Sequence, residues 1–141
     1  MILGNNTLLS RYTRITPLIL VVDDDRDNLF LNVNVVNFLD LNYLVATNAL
    51  NALDLAMDKR PDLILLDIVM PELDGLAITR LLKACPLTNH IPIIAVTGLT
   101  LPKHKSEIKN AGCDDYISKP FLIEELEAKI NRHLHLNLSL S

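Results

Sequence analysis

The sequence predicts an α/β fold, a doubly wound parallel sheet of five strands with helices on both faces. Short apolar runs occur five times, and segments with helical periodicity separate them. Four of the runs lack the polar alternation of a half-exposed strand, as expected when helices cover both faces of a sheet. The alternation of strand and helix along the chain therefore favours a doubly wound sheet.

The predicted strands are rich in β-branched residues and span Leu18–Val22, Tyr43–Ala46, Leu63–Leu66, Ile93–Val96 and Tyr116–Ser118. The first predicted helix follows Arg26, and the second follows Asn48, which can cap it. The third begins at Gly75 and ends before Pro86, and the fourth spans Lys103–Ala111 and ends at Gly112. The fifth follows Pro120. The predicted buried face of the first helix consists of Leu29, Phe30, Val33, Val36 and Phe38.

The length of 141 residues fits one domain at 17–134, with an N-terminal extension at 1–16 and a C-terminal tail at 135–141. The tail alternates apolar and polar residues. It could add an edge strand in a dimer, but a frayed end is the favoured interpretation. Cys85 and Cys113 are expected to be buried, reduced thiols.

The net charge of -4 and the scattered lysines and arginines argue against direct nucleic-acid binding. No apolar run is long enough to span a bilayer, and we expect no membrane insertion. The N-terminus does not resemble a signal peptide. A cytoplasmic location is therefore expected.

Polar residues follow four of the predicted strands at the point where each strand ends. Asp23, Asp24 and Asp25 follow the first strand, Asp67 the third, Thr97 the fourth and Lys119 the fifth. The carboxyl ends of parallel strands meet at one edge of an open sheet, where ligands bind. Each signal alone has an ordinary structural explanation, but their joint placement predicts a site.

Clustered carboxylates repel one another and need positive charge nearby. Lys119 supplies one charge, and an oxygen-seeking divalent ion supplies the rest. Mg²⁺ fits better than Zn²⁺ because the pattern contains no cysteine or histidine there. Asp67 could then attack phosphorus as a nucleophile, with Lys119 stabilising the charge and Thr97 donating a hydrogen bond.

The chain resembles the receiver domains of bacterial two-component response regulators, of the single-domain, chemotaxis-regulator-like kind. The similar stretches are Leu20–Asp25, Leu66–Pro71, Asp74–Gly75, Ala95–Gly98 and Asp115–Phe121, within a match from about Leu18 to Leu134. The resemblance implies a flavodoxin-like sheet with strand order 2-1-3-4-5. It also implies a phosphorelay signalling protein rather than an enzyme, which assists its own phosphorylation and dephosphorylation.

The resemblance implies roles for particular residues. Asp67 would be the phosphoacceptor, while Asp24, Asp67 and the Val69 backbone carbonyl would bind Mg²⁺, with Asp23 in the outer shell and Mn²⁺ as an alternative ion. Thr97 and Lys119 would hold the phosphoryl oxygens, and the Lys119–Pro120 peptide would be cis.

Thr97 and Tyr116 would form the switch, although Tyr116 could instead be an interfacial aromatic residue with its hydroxyl in water. The output surface would lie on helix four, strand five and helix five. Receivers of this kind often form homodimers through that face. The resemblance implies that Val69 and Leu99 occupy positions that modulate the rate of dephosphorylation. Because both are apolar, we expect slow hydrolysis.

The expected partners are a sensor histidine kinase or a histidine phosphotransfer domain, and a downstream effector protein. The main alternative is a phosphorylation-independent interaction module with the same fold. A haloacid-dehalogenase-type hydrolase is disfavoured because Asp23–Arg26 matches only the spacing of its motif. A flavodoxin is disfavoured because three aspartates after the first strand would repel a phosphate.

Overall fold

The computed structural model describes residues 16–70, 73–98 and 102–134. Its strands are β1 Leu18–Val22, β2 Asn42–Ala46, β3 Leu63–Asp67, β4 Val69–Met70, β5 Leu73–Asp74, β6 Ile93–Thr97 and β7 Asp115–Ser118. Its helices are α1 Arg26–Phe38, α2 Ala49–Lys59, α3 Gly75–Ala84, α4 Pro102–Ala111 and α5 Ile123–Leu134. The predicted N-terminal extension, apart from Thr16, and the predicted tail lie outside these residues.

Five parallel strands form the main sheet in the order β2-β1-β3-β6-β7. This is the 2-1-3-4-5 order that the resemblance implied, so that the predicted fold class is confirmed. The predicted strands agree with the observed ones to within one residue at each end. The antiparallel pair β4–β5, which follows β3, was not predicted.

The residues of each central strand alternate between two buried clusters. Leu20 and Val22 of β1 pack on the α2, α3 and α4 side, while Ile19 and Val21 pack on the α1 and α5 side. Every residue of β3 and β6 is buried. Continuous apolar strands therefore reflect a sheet with helices on both faces, as the sequence predicted.

The predicted buried face of α1 is partly wrong. Phe30 and Phe38 were expected to face the core, but their side chains are 62% and 72% exposed. The buried residues of this helix are Asn32, Val35 and Val36. The apolar residues of α1 are distributed on all sides of the helix, so its periodicity alone could not predict which side packs against the sheet.

Two smaller predictions have different outcomes. Gly112 follows α4 with a positive φ of 109°, as expected of a residue just after a helix C-terminus. Cys85 and Cys113 are unpaired, as predicted, but each is half-buried rather than buried.

Within the described ranges, no helix is both long and apolar enough to cross a membrane.

Candidate functional site

The carboxyl ends of the central strands bring the predicted polar residues to one edge. Asp67 is the last residue of β3 and is paired in register with Val96, next to Thr97 at the end of β6. Asp23 follows β1 directly, and its N–H donates to the carbonyl oxygen of Ala46 at 3.1 Å. The parallel register therefore places both carboxylates at the same edge of the sheet.

Three carboxylates converge at this edge. One oxygen from each of Asp23, Asp24 and Asp67 lies within 4.8 Å of the other two. Asp23 is fully buried and Asp67 is 4% exposed. Asp24 is the most exposed of the three. Such a cluster costs free energy unless a cation compensates its charge.

The two oxygens of Asp23 have different surroundings. Its Oδ1 accepts a hydrogen bond from the Asp25 N–H at 2.9 Å, whereas its buried Oδ2 has no hydrogen-bond partner among the described residues. Burial raises the pKa of Asp23 to about 6, and the negative charge of Asp67 adds to this effect, although the Asp25 N–H opposes it. An orphaned buried carboxylate oxygen is a favourable position for a cation.

Lys119 provides the positive charge that the cluster lacks. Its Nζ lies 3.6 Å from Oδ2 of Asp67. Its N–H donates to the carbonyl oxygen of Thr97 at 2.8 Å, which ties the loop after β7 to the end of β6. The Lys119–Pro120 peptide is cis, as the resemblance implied.

The ligand set suits a hard divalent cation. The clustered donors are carboxylate oxygens, and the cluster contains neither cysteine nor histidine. Mg²⁺ prefers such oxygen donors and completes its octahedral shell with water and phosphate oxygens. The orphaned Asp23 Oδ2 supports the same conclusion, so that the residues present fit the ion that the sequence suggested.

Capping interactions hold the loops around the cluster. Oδ1 of Asp25 accepts from the N–H groups of Asp27 and Asn28 at the start of α1. Oδ1 of Asp74 accepts from the N–H groups of Leu76 and Ala77 at the start of α3. The third aspartate of the Asp23–Asp25 run is therefore a helix cap rather than a member of the cluster.

Tyr116, the second predicted switch residue, lies on β7 and is partly buried. The ammonium groups of Lys105 on α4 and Lys129 on α5 lie 5.7 and 6.0 Å from its ring centroid. Both are cation–π distances. The Tyr116 ring therefore connects the two helices that flank β7.

A charged network beside Tyr116 was not predicted from the sequence. Asp115 contacts Lys129 at 3.0 Å, His133 at 2.9 Å and Arg132 at 3.6 Å, all on α5. Burial alone would raise the pKa of Asp115, but hydrogen bonds from His133, Lys129 and the Tyr116 N–H hold it below its usual value. The basic residues spaced along the last helix were the signal that could have indicated this network.

The proposed roles of Val69 and Leu99 stay predictions. Val69 lies in β4, two residues after Asp67, and its carbonyl and side-chain roles stay predictions. Leu99 lies outside the described residues. Of the remaining predicted residues, Asp23, Asp24, Asp67 and Lys119 converge at the sheet edge and Thr97 ends β6 there, whereas Tyr116 lies two residues before the end of β7.

Known proteins are similar to this chain in sequence. The family model for the response regulator receiver domain matches residues 19–131. The polar-differentiation response regulator DivK of Brucella anthropi is 37% identical over 116 residues, which cover 82% of this chain and 94% of that protein. The DivK protein of Brucella ovis is 35% identical over 119 residues, covering 84% and 97%.

Solved structures show the same architecture. A putative response regulator from Chloroflexus aurantiacus matches with a TM-score of 0.81 at 26% identity, covering 86% of this chain and 99% of that one. The receiver domain of sensor histidine kinase PA1611 from Pseudomonas aeruginosa matches with a TM-score of 0.79 at 30% identity, again covering 86% and 99%. That structure has a magnesium ion coordinated in its active-site cleft.

Proposed function

The chain belongs to the receiver-domain family of two-component response regulators, and on this basis we propose that Asp67 accepts a phosphoryl group from a histidine kinase or a histidine phosphotransfer domain. The observation that carries the proposal is the meeting of Asp23, Asp24 and Asp67 within 4.8 Å, with Lys119 3.6 Å from Asp67. The chain would act as a signalling phosphoacceptor rather than as an enzyme that turns over a substrate.

The proposed transfer needs little covalent machinery from the protein. A carboxylate oxygen of Asp67 forms a bond to phosphorus while the bond from phosphorus to the donor's histidine nitrogen breaks. Asp67 is unprotonated when it attacks, so the step requires no general base. Positioning and electrostatics supply the catalysis.

Each neighbour of Asp67 has a distinct task in this proposal. Lys119 pairs with the Asp67 carboxylate before the transfer and stabilises negative charge on the phosphoryl oxygens after it. Thr97, buried at the end of β6, donates its hydroxyl to a phosphoryl oxygen once the group is attached. Asp24 and Asp67 would hold Mg²⁺, with Asp23 behind them, and the bound ion would neutralise charge on the phosphoryl oxygens.

We propose that phosphorylation is read out at the surface formed by α4, β7 and α5. A phosphoryl group can shift a conformational balance only through contacts that differ between the two states. Thr97 would move toward that group, and Tyr116 would turn inward. Tyr116 contacts Lys105 on α4 and Lys129 on α5, so that its movement would alter both helices of this surface. A downstream protein would bind one of the two arrangements.

The alternative function is an interaction module that works without phosphorylation. The same fold and output surface would serve that role. The buried acidic cluster would then destabilise the folded protein by electrostatic repulsion and desolvation, and an interaction module does not need it. Retention of Lys119 beside Asp67 also favours the phosphoacceptor.

The test incubates the full chain with Mg²⁺ and acetyl phosphate and measures its intact mass. We expect wild type to gain the mass of one phosphoryl group. Asp67→Asn should gain none, and the matched variant Asp54→Asn, whose carboxylate is exposed on α2, should be labelled like wild type. Wild type that stays unlabelled, or equal labelling of Asp67→Asn, would refute the proposal.

A further inference from the structure

The outer side of β2 is a free strand edge. β2 is the outermost strand of the five-stranded sheet and, within the described residues, pairs with β1 alone. The N–H of Asn42 donates at 3.1 Å to the residue just before β1, and the carbonyl oxygen of Ala46 accepts at 3.1 Å from the residue just after it. Because alternate residues of a strand direct these groups to opposite sides, the N–H and C=O groups of Tyr43 and Val45 point to the free edge.

β2 lacks the usual protections of an edge strand. Natural proteins blunt such edges with charged residues, prolines or bulges. No charged residue and no proline occurs between Asp40 and Asp54, and β2 pairs with β1 in a continuous register without a bulge. The opposite edge strand, β7, begins with Asp115 and is followed by Lys119 and Pro120. The β2 edge is therefore open to pairing with another strand, whereas the β7 edge is protected.

The side chains at this edge are apolar. Tyr43 and Val45 are each 42% exposed, and they project from the same face of the sheet. Their register partners on β1 are Ile19 and Val21, which belong to the cluster on the α1 and α5 side. Leu44 projects from the other face and is only partly buried against the cluster on the α2 side. A free main-chain edge with exposed apolar side chains has the character of an interface.

We propose that β2 pairs antiparallel with β2 of a second copy of this chain, so that the two five-stranded sheets become continuous. A twofold axis through Leu44 makes the same strand serve on both sides of the contact. Tyr43 then lies opposite the partner's Val45, and Val45 lies opposite the partner's Tyr43. Each of these pairs exchanges two main-chain hydrogen bonds. Every outward N–H and C=O group of the two residues thereby gains a partner.

The side chains of β2 complement themselves in this register. On the α1 side, the aromatic Tyr43 faces the β-branched Val45 of the partner twice, and such cross-strand pairs are favourable. On the α2 side, Leu44 meets the partner's Leu44 in the closely spaced, non-hydrogen-bonded pair at the centre. The matching strand is thus present in every copy of the chain, which favours a second copy over a strand of another protein.

The aspartates near β2 do not oppose one another in this arrangement. The chain carries a net charge of -4, so two copies repel each other unless their contact avoids like charges. Asp40 precedes β2, and the register places it opposite the partner's Asn48. The two Asp40 residues are then eight positions, or roughly 26 Å, apart along the strand direction. The aspartates of the candidate site, Asp23–Asp25, follow β1 and lie one strand farther from the contact.

The helices on the two sides of β2 bring balanced or outward-facing charges. Arg26 and Asp27 are adjacent and of opposite charge at the start of α1. On α2, the Asp58 carboxylate lies 3.5 Å from the Lys59 ammonium. Asp54 lies on the side of α2 opposite its buried alanines and so faces solvent rather than the sheet. The uncharged β2 edge is therefore the centre of the contact, with charged residues at its rim.

The β2 edge is separate from the proposed phosphoacceptor and from the output surface. β1 lies between β2 and β3, the strand that ends at Asp67. Lys119 follows β7 at the opposite edge of the sheet. Pairing through β2 therefore leaves both the candidate site and the α4–β7–α5 surface accessible, and it does not depend on phosphorylation.

The test is sedimentation velocity of the full chain from about 1 µM to about 1 mM. Wild type should show a reversible monomer–dimer equilibrium. Tyr43→Lys/Val45→Lys places lysine opposite lysine in both cross-strand pairs and should weaken dimerisation at least about tenfold. Tyr43→Lys/Val45→Glu places lysine opposite glutamate in the same two pairs. It should therefore dimerise at least about tenfold more tightly than the variant with two lysines.

The comparison of the two double variants tests the register itself, because they differ in the sign of the charge at residue 45. General repulsion between negatively charged chains predicts the opposite order, since two added lysines reduce the net negative charge. Leu81→Lys changes a leucine that is 57% exposed on α3 and should dimerise like wild type. A monomeric wild type at the highest concentration, or equal dimerisation of the two double variants, would overturn the proposal. Circular dichroism verifies that each variant is folded.

Discussion

Gly75 packs directly against the backbone of Asp67. A Cβ atom on residue 75 would lie 2.7 Å from the carbonyl oxygen of Asp67 and 2.8 Å from the Cα of Ile68. Helix α3 begins at Gly75 and is capped by Asp74. The absence of a side chain at the first residue of this helix thus allows it to approach the segment that carries the proposed phosphoacceptor.

Replacement of Gly75 by alanine should therefore destabilise the fold. The clash is with backbone atoms, which cannot rotate away, so we expect a loss of about 1–3 kcal/mol in the free energy of unfolding. Urea denaturation measures this loss. Gly98→Ala is the matched control because a Cβ there meets no atom within 4 Å. Equal stability of the two variants would contradict the close approach.

The buried Asp23 carboxylate predicts an unusual pH dependence of the metal-free protein. Its pKa of about 6 in the folded state lies above the ordinary 3.8. Protonated Asp23 therefore makes its full contribution to the free energy of unfolding below pH 3.8, and this contribution is lost as the pH rises through about 6. The asparagine in Asp23→Asn cannot become charged, so the variant does not lose this contribution. At high pH it should therefore be more stable than wild type, by up to about 3 kcal/mol in the free energy of unfolding.

Thermal unfolding in EDTA between about pH 4 and pH 8 tests this expectation. The difference between Asp23→Asn and wild type should grow with pH and nearly vanish at the acidic end. A constant difference across the range would mean that Asp23 does not titrate as described. Added Mg²⁺ should reverse the order at high pH, because a ligand of the native state stabilises the protein that binds it better.

Asp115 should behave in the opposite way. Its pKa is held below 3.8, so that its stabilising contribution is present above that value and is lost as the pH falls through the lower folded value. Asp115→Asn should cost about 1–3 kcal/mol at neutral pH, since the amide cannot replace a carboxylate toward Lys129 and His133.

Urea denaturation at neutral pH and at about pH 3 measures the Asp115 effect. The cost of Asp115→Asn should shrink at the acidic pH, because below 3.8 the unfolded wild-type chain takes up a proton at Asp115 more readily than the folded protein does. Asp58→Asn serves as the control because the Asp58–Lys59 pair is exposed and contributes little. A cost that is unchanged at the acidic pH would exclude the charge network as its source.

The phosphorylated protein should be long-lived. Val69 and Leu99 are apolar in the sequence, and neither can orient an attacking water. Once the donor is removed, intact mass should show phosphoprotein that persists for minutes or longer. Val69→Asn/Leu99→Glu should shorten that lifetime, and the conservative Leu99→Met should not. A wild-type lifetime of seconds would contradict this prediction.

The sequence was sufficient to predict the convergence of the polar residues because parallel strands end at a common edge. Once Leu18–Val22, Leu63–Leu66 and Ile93–Val96 were read as strands, the polar residues after them had to converge. Apolar runs are local signals, and the strand ends that they predict agree with the observed strand ends to within one residue. Strand-end position predicted Asp23, Asp24, Asp67, Thr97 and Lys119 as site residues, and the structure brings Asp23, Asp24 and Asp67 together beside Lys119.

Only the tertiary structure decided how those residues are surrounded. The orphaned Oδ2 of Asp23 and its raised pKa depend on burial by distant segments, which no local pattern reports. The need for glycine at residue 75 arises from the backbone of Asp67, eight positions away in the chain. The Asp115 network forms because α5 packs beside β7.

The sequence by itself thus predicted the five strands of the main sheet, the helices between them and the polar residues at the strand ends, since apolar periodicity and strand-end position are encoded along the chain, whereas the strand order came from the family resemblance. The exposed side of α1 was decided by packing alone. Apolar residues surround that helix, and contact with the sheet buries Val35 and Val36 while leaving Phe30 and Phe38 in solvent. Periodicity selects a buried face only where the opposite face is polar.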